Sequence, residues 1–217
     1  MSIALALACT SWGTPGVLLH ADRFDGPLTQ WVTEYRQAPG SKVEARGGRL
    51  VMDVASGATA WFRTPLSGDY LIRFTRKVVM AGGANDRLSD LNMFWMASDP
   101  RTAELFTRTG EFEQYDNLRM YYVGVGGNTN TTTRLRRYDG TGARQLLGEY
   151  SDRAHLLQPN HRYAVEIAVY RGCTRVRLDG DTLFSFRDPE PLLNGYFGLR
   201  TTQSRQEIGD FQIYQLK

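Results

Sequence analysis

The last quarter of the chain constrains the fold most. Residues 161–171 alternate, with Tyr163, Val165, Ile167 and Val169 on one face, the period of two that marks a half-buried strand. Arg171-Gly172 is a tight turn into 173–178. Asp179-Gly180 is a two-residue hairpin signal leading into 182–186. A loop at 188–194 precedes two further strands, 196–201 and 208–216. Short alternating runs with turn residues at every break cannot be laid on a helix of period 3.6. They predict an antiparallel all-β sandwich, in which Tyr163, Val165, Ile167, Phe197, Leu199 and Phe211 share one core between two sheets.

The rest of the chain has the same texture. Runs 49–54 and 59–64 flank Ala55-Ser56-Gly57, which reads as a hairpin turn. Residues 70–79 form a long strand with Ile72, Phe74 and Val78 on one face and Arg73, Thr75 and Lys77 on the other. The run Ala81-Gly82-Gly83-Ala84-Asn85-Asp86 ends it, and 89–97 is the next strand. Residues 98–114, with Asp99-Pro100, are a long excursion with one helical turn, and long loops in compact domains are often functional. A chain of 217 residues fits one such domain, with no internal repeat or linker. The domain is therefore set at 21–217.

The N-terminus reads MSIALALACTSWGTPG. Its apolar run, 3–9, resembles the end of a secretory signal peptide without the basic start. Ala6-Leu7-Ala8-Cys9 is similar to a lipoprotein cleavage site, with Ala6 where Leu is usual. Residues 1–20 are thus expected to be a leader, with the mature chain starting between Cys9 and Ala21. The protein is expected to be secreted or periplasmic, with Cys9 as a lipid anchor. Cys9 and Cys173 are the two cysteines and could pair. If Cys9 is removed with a leader, Cys173 is left as a lone buried thiol. No zinc spacing or catalytic cysteine signature occurs, and no apolar run approaches a membrane span.

Charge narrows the choice of partner. Of the basic residues, only Lys42, Lys77 and Lys217 are lysines; the others are arginines, whose planar forks suit carboxylates. Acidic residues are interspersed throughout, so there is no basic stripe of the nucleic-acid-binding kind.

The chemistry concentrates in YDNLRMYYVGVGGNTNTTTRLRRY, residues 115–138. Leu135 inward sends Arg134 and Arg136 outward together, and two guanidinium groups on one face need an anion between them. That anion could be a uronate, Asp90 or Glu166. Along 89–97, Leu91, Met93 and Trp95 take one face while Asp90, Asn92 and Phe94 take the other. Arg200 points away from the face of Phe197 and Leu199. Tyr115, Tyr121 and Tyr122 offer rings to stack on sugars. A tyrosine whose pKa is lowered by nearby arginines could move the proton in uronate elimination. The expected catalytic residues are Tyr122, Arg134 and Arg136; the expected substrate-binding residues are Asp90, Asn92, Tyr115, Tyr121, Asn128 and Arg200. The run GVGGNTN lacks the helix and the Lys-Ser/Thr of a phosphate loop and reads as a flexible loop. His20, His155 and His161 lack metal-ligand spacing and are expected to be structural. No cofactor is expected; a structural calcium ion is compatible with the loops, but no specific motif calls for one.

The run NHRYAVEIAVYRGCTRVRLDGDTLFSFRDPEPLLNGYFGLRTTQSRQEIGDFQIYQL resembles the closing strands of the concanavalin A-like lectin/glucanase and laminin G-like sandwiches. DRFDGPLTQWVTEYR and GGRLVMDV resemble their opening. The resemblance implies a two-sheet antiparallel jelly roll. More narrowly, SDLNMFWMASDP with YYVGVGGNTNTTTRLRRY is similar to an uncharacterised bacterial family related in fold to YesU-type proteins and 3-keto-disaccharide hydrolase-like domains of polysaccharide utilisation. The Glu-x-Asp-x-x-Glu catalytic strand of the retaining glucanases is absent; Glu111-Phe112-Glu113 does not reproduce it. The expectation is a carbohydrate-active protein cleaving an acidic or oxidised saccharide, as a lyase or a hydrolase. The alternatives are a non-catalytic carbohydrate-binding module or lectin, and a structural protein with no ligand. The expected partner is an oligosaccharide or polysaccharide, uronate-containing in the leading version.

Overall fold

A computed structural model describes residues 9–217. Among the described residues, fourteen strands carry the fold. The first seven are β1 (Pro15–Asp22), β2 (Trp31–Tyr35), β3 (Lys42–Ala45), β4 (Leu50–Phe62), β5 (Leu66–Ser67), β6 (Tyr70–Val78) and β7 (Leu91–Ser98). The others are β8 (Arg119–Gly126), β9 (Thr132–Asp139), β10 (Arg144–Tyr150), β11 (Arg162–Tyr170), β12 (Cys173–Leu178), β13 (Asp181–Arg187) and β14 (Asn194–Leu216). The front layer runs β10-β9-β8-β7, then the first half of β14, the second half of β4, and β2. The back layer runs β13-β12-β11-β6 and the second half of β14, flanked by β1 and by β3 with the first half of β4. All pairings are antiparallel, and the architecture is the two-layer sandwich that the turn pattern predicts, of the jelly-roll kind that the resemblance implies.

The core lies between the layers. Met93, Trp95, Val123 and Leu135 from the front meet Ile72, Phe74, Val165, Ile167 and Ile213 from the back, all fully or nearly fully buried. The six residues expected to share this core do so. Burying side chains of this size contributes about 1.5–3 kcal/mol each. Arg171-Gly172 and Asp179-Gly180 are the expected tight turns, each residue in the left-handed region that such hairpins demand.

Two expected breaks are not breaks. The sequence 196–216 forms one strand, β14, instead of two, with irregularities at 202–204 and 209–212 where Gln203 and Asp210 take positive φ. Those bulges turn the strand from one layer to the other without ending it. Likewise Ala55-Ser56-Gly57 is not a hairpin turn: β4 passes straight through it. Gly57 is there because the backbone of Gly110 crosses it, and a Cβ would stand 1.9 Å from the Gly110 carbonyl oxygen.

The excursion 99–118 lies across the outer face of the front layer and contains a 3-10 turn, Phe112–Tyr115. Its Leu105, Tyr115 and Leu118 cover Trp61, Phe94, Met120 and Tyr138, making a second apolar cluster. A buried carboxylate anchors it. Glu34, 4% exposed, accepts from Trp61 Nε1 at 2.8 Å, Tyr115 Oη at 2.9 Å and the backbone N–H of Arg108 at 2.7 Å. Asp99 adds a second tie, pairing with Arg101 and Arg108.

Cys9 and Cys173 form a disulfide, so Cys173 is not a lone thiol. Residues 15–20, within the expected leader, are part of β1. A sulfur held in that bond cannot also carry a lipid. The apolar run 3–8 lies outside the described residues. No helix among the described residues is long and apolar enough to cross a membrane.

Candidate functional site

Strand register builds the site. One row across the front layer reads Glu149, Arg134, Gly124, Asn92, Arg200, Thr59, Glu34, one residue from each of seven strands. The row two residues along reads Arg136, Tyr122, Phe94, Gly198, Trp61. Alternation places the side chains of both rows on the outer face. The excursion covers the Phe94–Trp61 end; the other end is a cleft of about 390 Å³.

Asp90, Asn92, Tyr122, Asn128, Arg134, Arg136 and Arg200 all line this cleft. Tyr115 and Tyr121 do not. Tyr115 is fully buried beneath the excursion, with its hydroxyl on Glu34. It failed as a stacking group because a loop without periodicity gives no parity to read. Tyr121 faces the inter-sheet core, as alternation against Tyr122 requires, and its hydroxyl donates to Asp188 at 2.6 Å. Asn128 lies in a left-handed turn, with Thr129 and Asn130 also at positive φ. Asn130 clamps that turn to Leu157 through two hydrogen bonds, of 3.0 and 2.8 Å.

The floor is set by Tyr122, whose hydroxyl donates to Asn92 Oδ1 at 3.1 Å. Gly124 lies beneath this contact. A Cβ there would stand 2.0 Å from the Tyr122 hydroxyl and 2.7 Å from Asn92 Oδ1. Burial pushes the Tyr122 phenol well above its ordinary pKa, against the smaller lowering by Arg200 and Arg136. This reverses the expectation of an acidified tyrosine: Tyr122 stays protonated at neutral pH and donates.

Five arginines border the cleft, and three have carboxylate partners. Arg87 pairs with Asp90, Arg134 with Glu149, and Arg144 with Asp116 through two bonds of 2.8 and 2.6 Å. Neither Asp90 nor Glu166 lies between Arg134 and Arg136; Glu166 pairs with Arg73 and Arg177 on the back layer. Arg136 and Arg200 have no carboxylate partner among the described residues. Arg136 lies over the Tyr122 ring at 5.8 Å. Arg200, 2% exposed, donates to Thr202 Oγ1 at 2.8 Å and the Gly110 carbonyl at 3.1 Å. Its Nε has no partner, and burial lowers its pKa.

Sequence reading passed over Arg76, which holds the floor from inside the core. It is fully buried, and it donates to Gln206 Oε1 at 2.7 Å, the Asn92 carbonyl at 2.7 Å and the Arg200 carbonyl at 2.8 Å. Burial pulls its pKa down to about 9, still charged at neutral pH. The signal was present: Arg76 stands on the Ile72–Phe74–Val78 stripe, where a charge needs a built socket. No group of three or more metal-ligating side chains is gathered among the described residues.

Residues 52–211 match the family model described as Domain of unknown function (DUF6250). No curated protein matches the sequence. Among solved structures, a Bacillus subtilis protein of unknown function with a galectin-like fold superposes with a TM-score of 0.76 at 16% identity, over 94% of this chain and 98% of that one. The carbohydrate-binding module CBM66 from Bacillus subtilis gives 0.57 at 12%, over 86% and 96%. An endo-β-1,3-glucanase from Pyrococcus furiosus gives 0.63 at 10%, over 92% and 94%. At these identities the likeness is one of fold.

Proposed function

The chain belongs to the DUF6250 family, and we propose that its front-layer cleft binds an acidic saccharide. One observation carries the reading: two guanidinium groups, Arg136 and Arg200, border the cleft without a carboxylate partner among the described residues. An uncompensated cation in a partly desolvated cleft favours an anionic ligand. Around it stand the amides of Asn92 and Asn128, the Tyr122 hydroxyl and the Asp90–Arg87 pair, which suit sugar hydroxyls. The cleft volume lies in the range of small-ligand sites. Carbohydrate-binding and glucan-cleaving proteins of the same fold support a saccharide as the ligand.

Binding is favoured over cleavage. Two-carboxylate glycoside hydrolysis needs a facing acid and base, and Asp90, the one carboxylate side chain bordering the cleft among the described residues, is engaged with Arg87. Elimination needs a base, and the raised pKa of Tyr122 opposes that role. Export fits the disulfide, which persists in oxidising compartments.

Titration calorimetry with acidic and neutral oligosaccharides tests the reading. Arg136→Ala should weaken binding of an acidic ligand by about 10- to 100-fold, the equivalent of one charge-assisted hydrogen bond of about 1.5–3 kcal/mol. A neutral saccharide should lose far less. Equal losses would remove the anion from the reading. Release of an unsaturated uronate chromophore during the same titrations would replace binding with lyase activity.

A further inference from the structure

The two unpaired cations of the cleft are not equivalent. Arg136 is half-buried on β9. Arg200 is rooted on β14, three strands away across β8 and β7, roughly 14 Å at the usual strand spacing. Arg200 is also shut: its guanidinium carbon lies 4.5 Å from the centre of the Phe112 ring. The same ring lies 4.7 Å from Arg144 and 5.9 Å from Tyr122. Phe112 comes from the excursion, whose Gly110 carbonyl also occupies one Arg200 nitrogen. The Arg200 Nε, buried and without a partner, is a donor that the closed arrangement does not satisfy. An unpartnered donor in a buried charged group is costly, so the closed contact with Phe112 is one that a carboxylate could replace.

We propose that the cleft takes a saccharide bearing two acidic groups on separate rings, the first held by Arg136 and the second reaching Arg200 by displacing Phe112. This rests on the reading of the cleft as an acidic-saccharide site. Arg136 lies over the Tyr122 ring and Arg200 against the Phe112 ring, so each cation suits a carboxylate of its own, and an oligouronate presents one charge per ring. Phe112 then sets specificity. It leaves Arg200 covered when a mono-anionic ligand binds and yields only to a chain with a second charge in register. The excursion can give way at this point. Glu111 is tied to the exposed Arg36 and to Gln114 within the excursion itself, while the buried ties through Glu34 and Asp99 hold the segments on either side of Phe112.

The test compares three disaccharides by calorimetry: one neutral, one with a single uronate ring, and digalacturonate. Digalacturonate should bind the wild-type protein about 10-fold or more tighter than the single-uronate ligand, the increment of one charge-assisted contact. Arg200→Lys, which keeps the charge but loses the fork, should erase that advantage, so that in the variant digalacturonate binds no tighter than the single-uronate ligand. Phe112→Ala should enlarge the advantage by removing the competing cover. Phe112→Trp reads the displacement directly, and needs no change at Arg200: the emission of the introduced indole, taken against the wild-type protein, should change with digalacturonate and not with the single-uronate ligand. If both acidic ligands bind equally, and both depend on Arg136, the dianion inference falls while the acidic-saccharide reading stands. If the advantage survives Arg200→Lys, or the emission of the Phe112→Trp variant ignores digalacturonate, the inference also falls. If no acidic ligand binds, both fall.

Discussion

Gly124 decides whether the cleft has a floor. It stands between Arg134 and Asn92 in the outer row, and its missing side chain is the space in which Tyr122 and Asn92 meet. A methyl group 2.0 Å from the Tyr122 hydroxyl must push the phenol away and break the bond to Asn92. Gly124→Ala should therefore cost about 1–3 kcal/mol, as overpacking does in a close-packed interior, and should weaken ligand binding as well. Urea unfolding measures the first effect and calorimetry the second. A variant with unchanged stability and affinity would mean that the Tyr122–Asn92 contact does not shape the site. The bare position was visible in the sequence as one glycine among several in GVGG. Its reason was not, because it depends on Tyr122 of the same strand leaning over Gly124 to meet Asn92 of the neighbouring one. Arg76 shows the converse: its parity was legible, and what it grips was not, since Gln206 and the carbonyl of Arg200 lie over a hundred residues away in sequence.

At the scale of elements, the excursion 99–118 is held in part by the ionised carboxylate of Asp99. The Asp99 side chain is 1% exposed. Its hydrogen bond with Arg101, helped by Arg108, keeps its carboxyl well below the usual range, against the opposing effect of burial. The sign follows. A carboxyl with a depressed folded pKa contributes stability that is complete above its unfolded value, near 4, and is lost as pH falls below it. The excursion should thus loosen as pH drops from about 4 toward 2, ahead of the apolar sandwich beneath it. Hydrogen exchange read at pH 3 and pH 6 checks this: amides of 101–116 should lose protection relative to those of β6 and β11. Asp99→Asn should lower protection at pH 6 and flatten the pH dependence. The sequence marked this stretch as a long excursion with a helical turn, which it is. It could not show Tyr115 as an anchor, because Glu34, its partner, lies on another strand.

At the scale of the molecule, the layers were legible because alternation is a local property. The parity of Met93, Leu135 and Leu199 put Asn92, Arg134, Arg136 and Arg200 on one face. What parity cannot carry is connectivity at a distance. The two β4 runs and the two β14 runs each looked separated by a turn, because bulges and close-approach glycines use turn residues. Cys9 was read as the end of a leader or a lipid anchor because an apolar run precedes it, while its partner lies 164 residues away. That bond ties the strap before β1 to β12, where Trp12 also lies 4.3 Å from the Arg175 guanidinium. Closing so long a loop restricts the unfolded chain strongly, so reduction or Cys173→Ser should lower stability by about 2–5 kcal/mol. Thermal unfolding with and without reductant measures this, and non-reducing peptide mapping should recover the Cys9 and Cys173 peptides as one species. The same experiment bears on export. A mature chain that keeps Cys9 in this bond must be processed, if at all, upstream of Cys9, and its sulfur is closed to lipid. N-terminal sequencing of protein from the native host that found a start downstream of Cys9 would break the link between strap and sandwich. A Cys9 peptide linked to Cys173 would instead place the folded protein in an oxidising compartment.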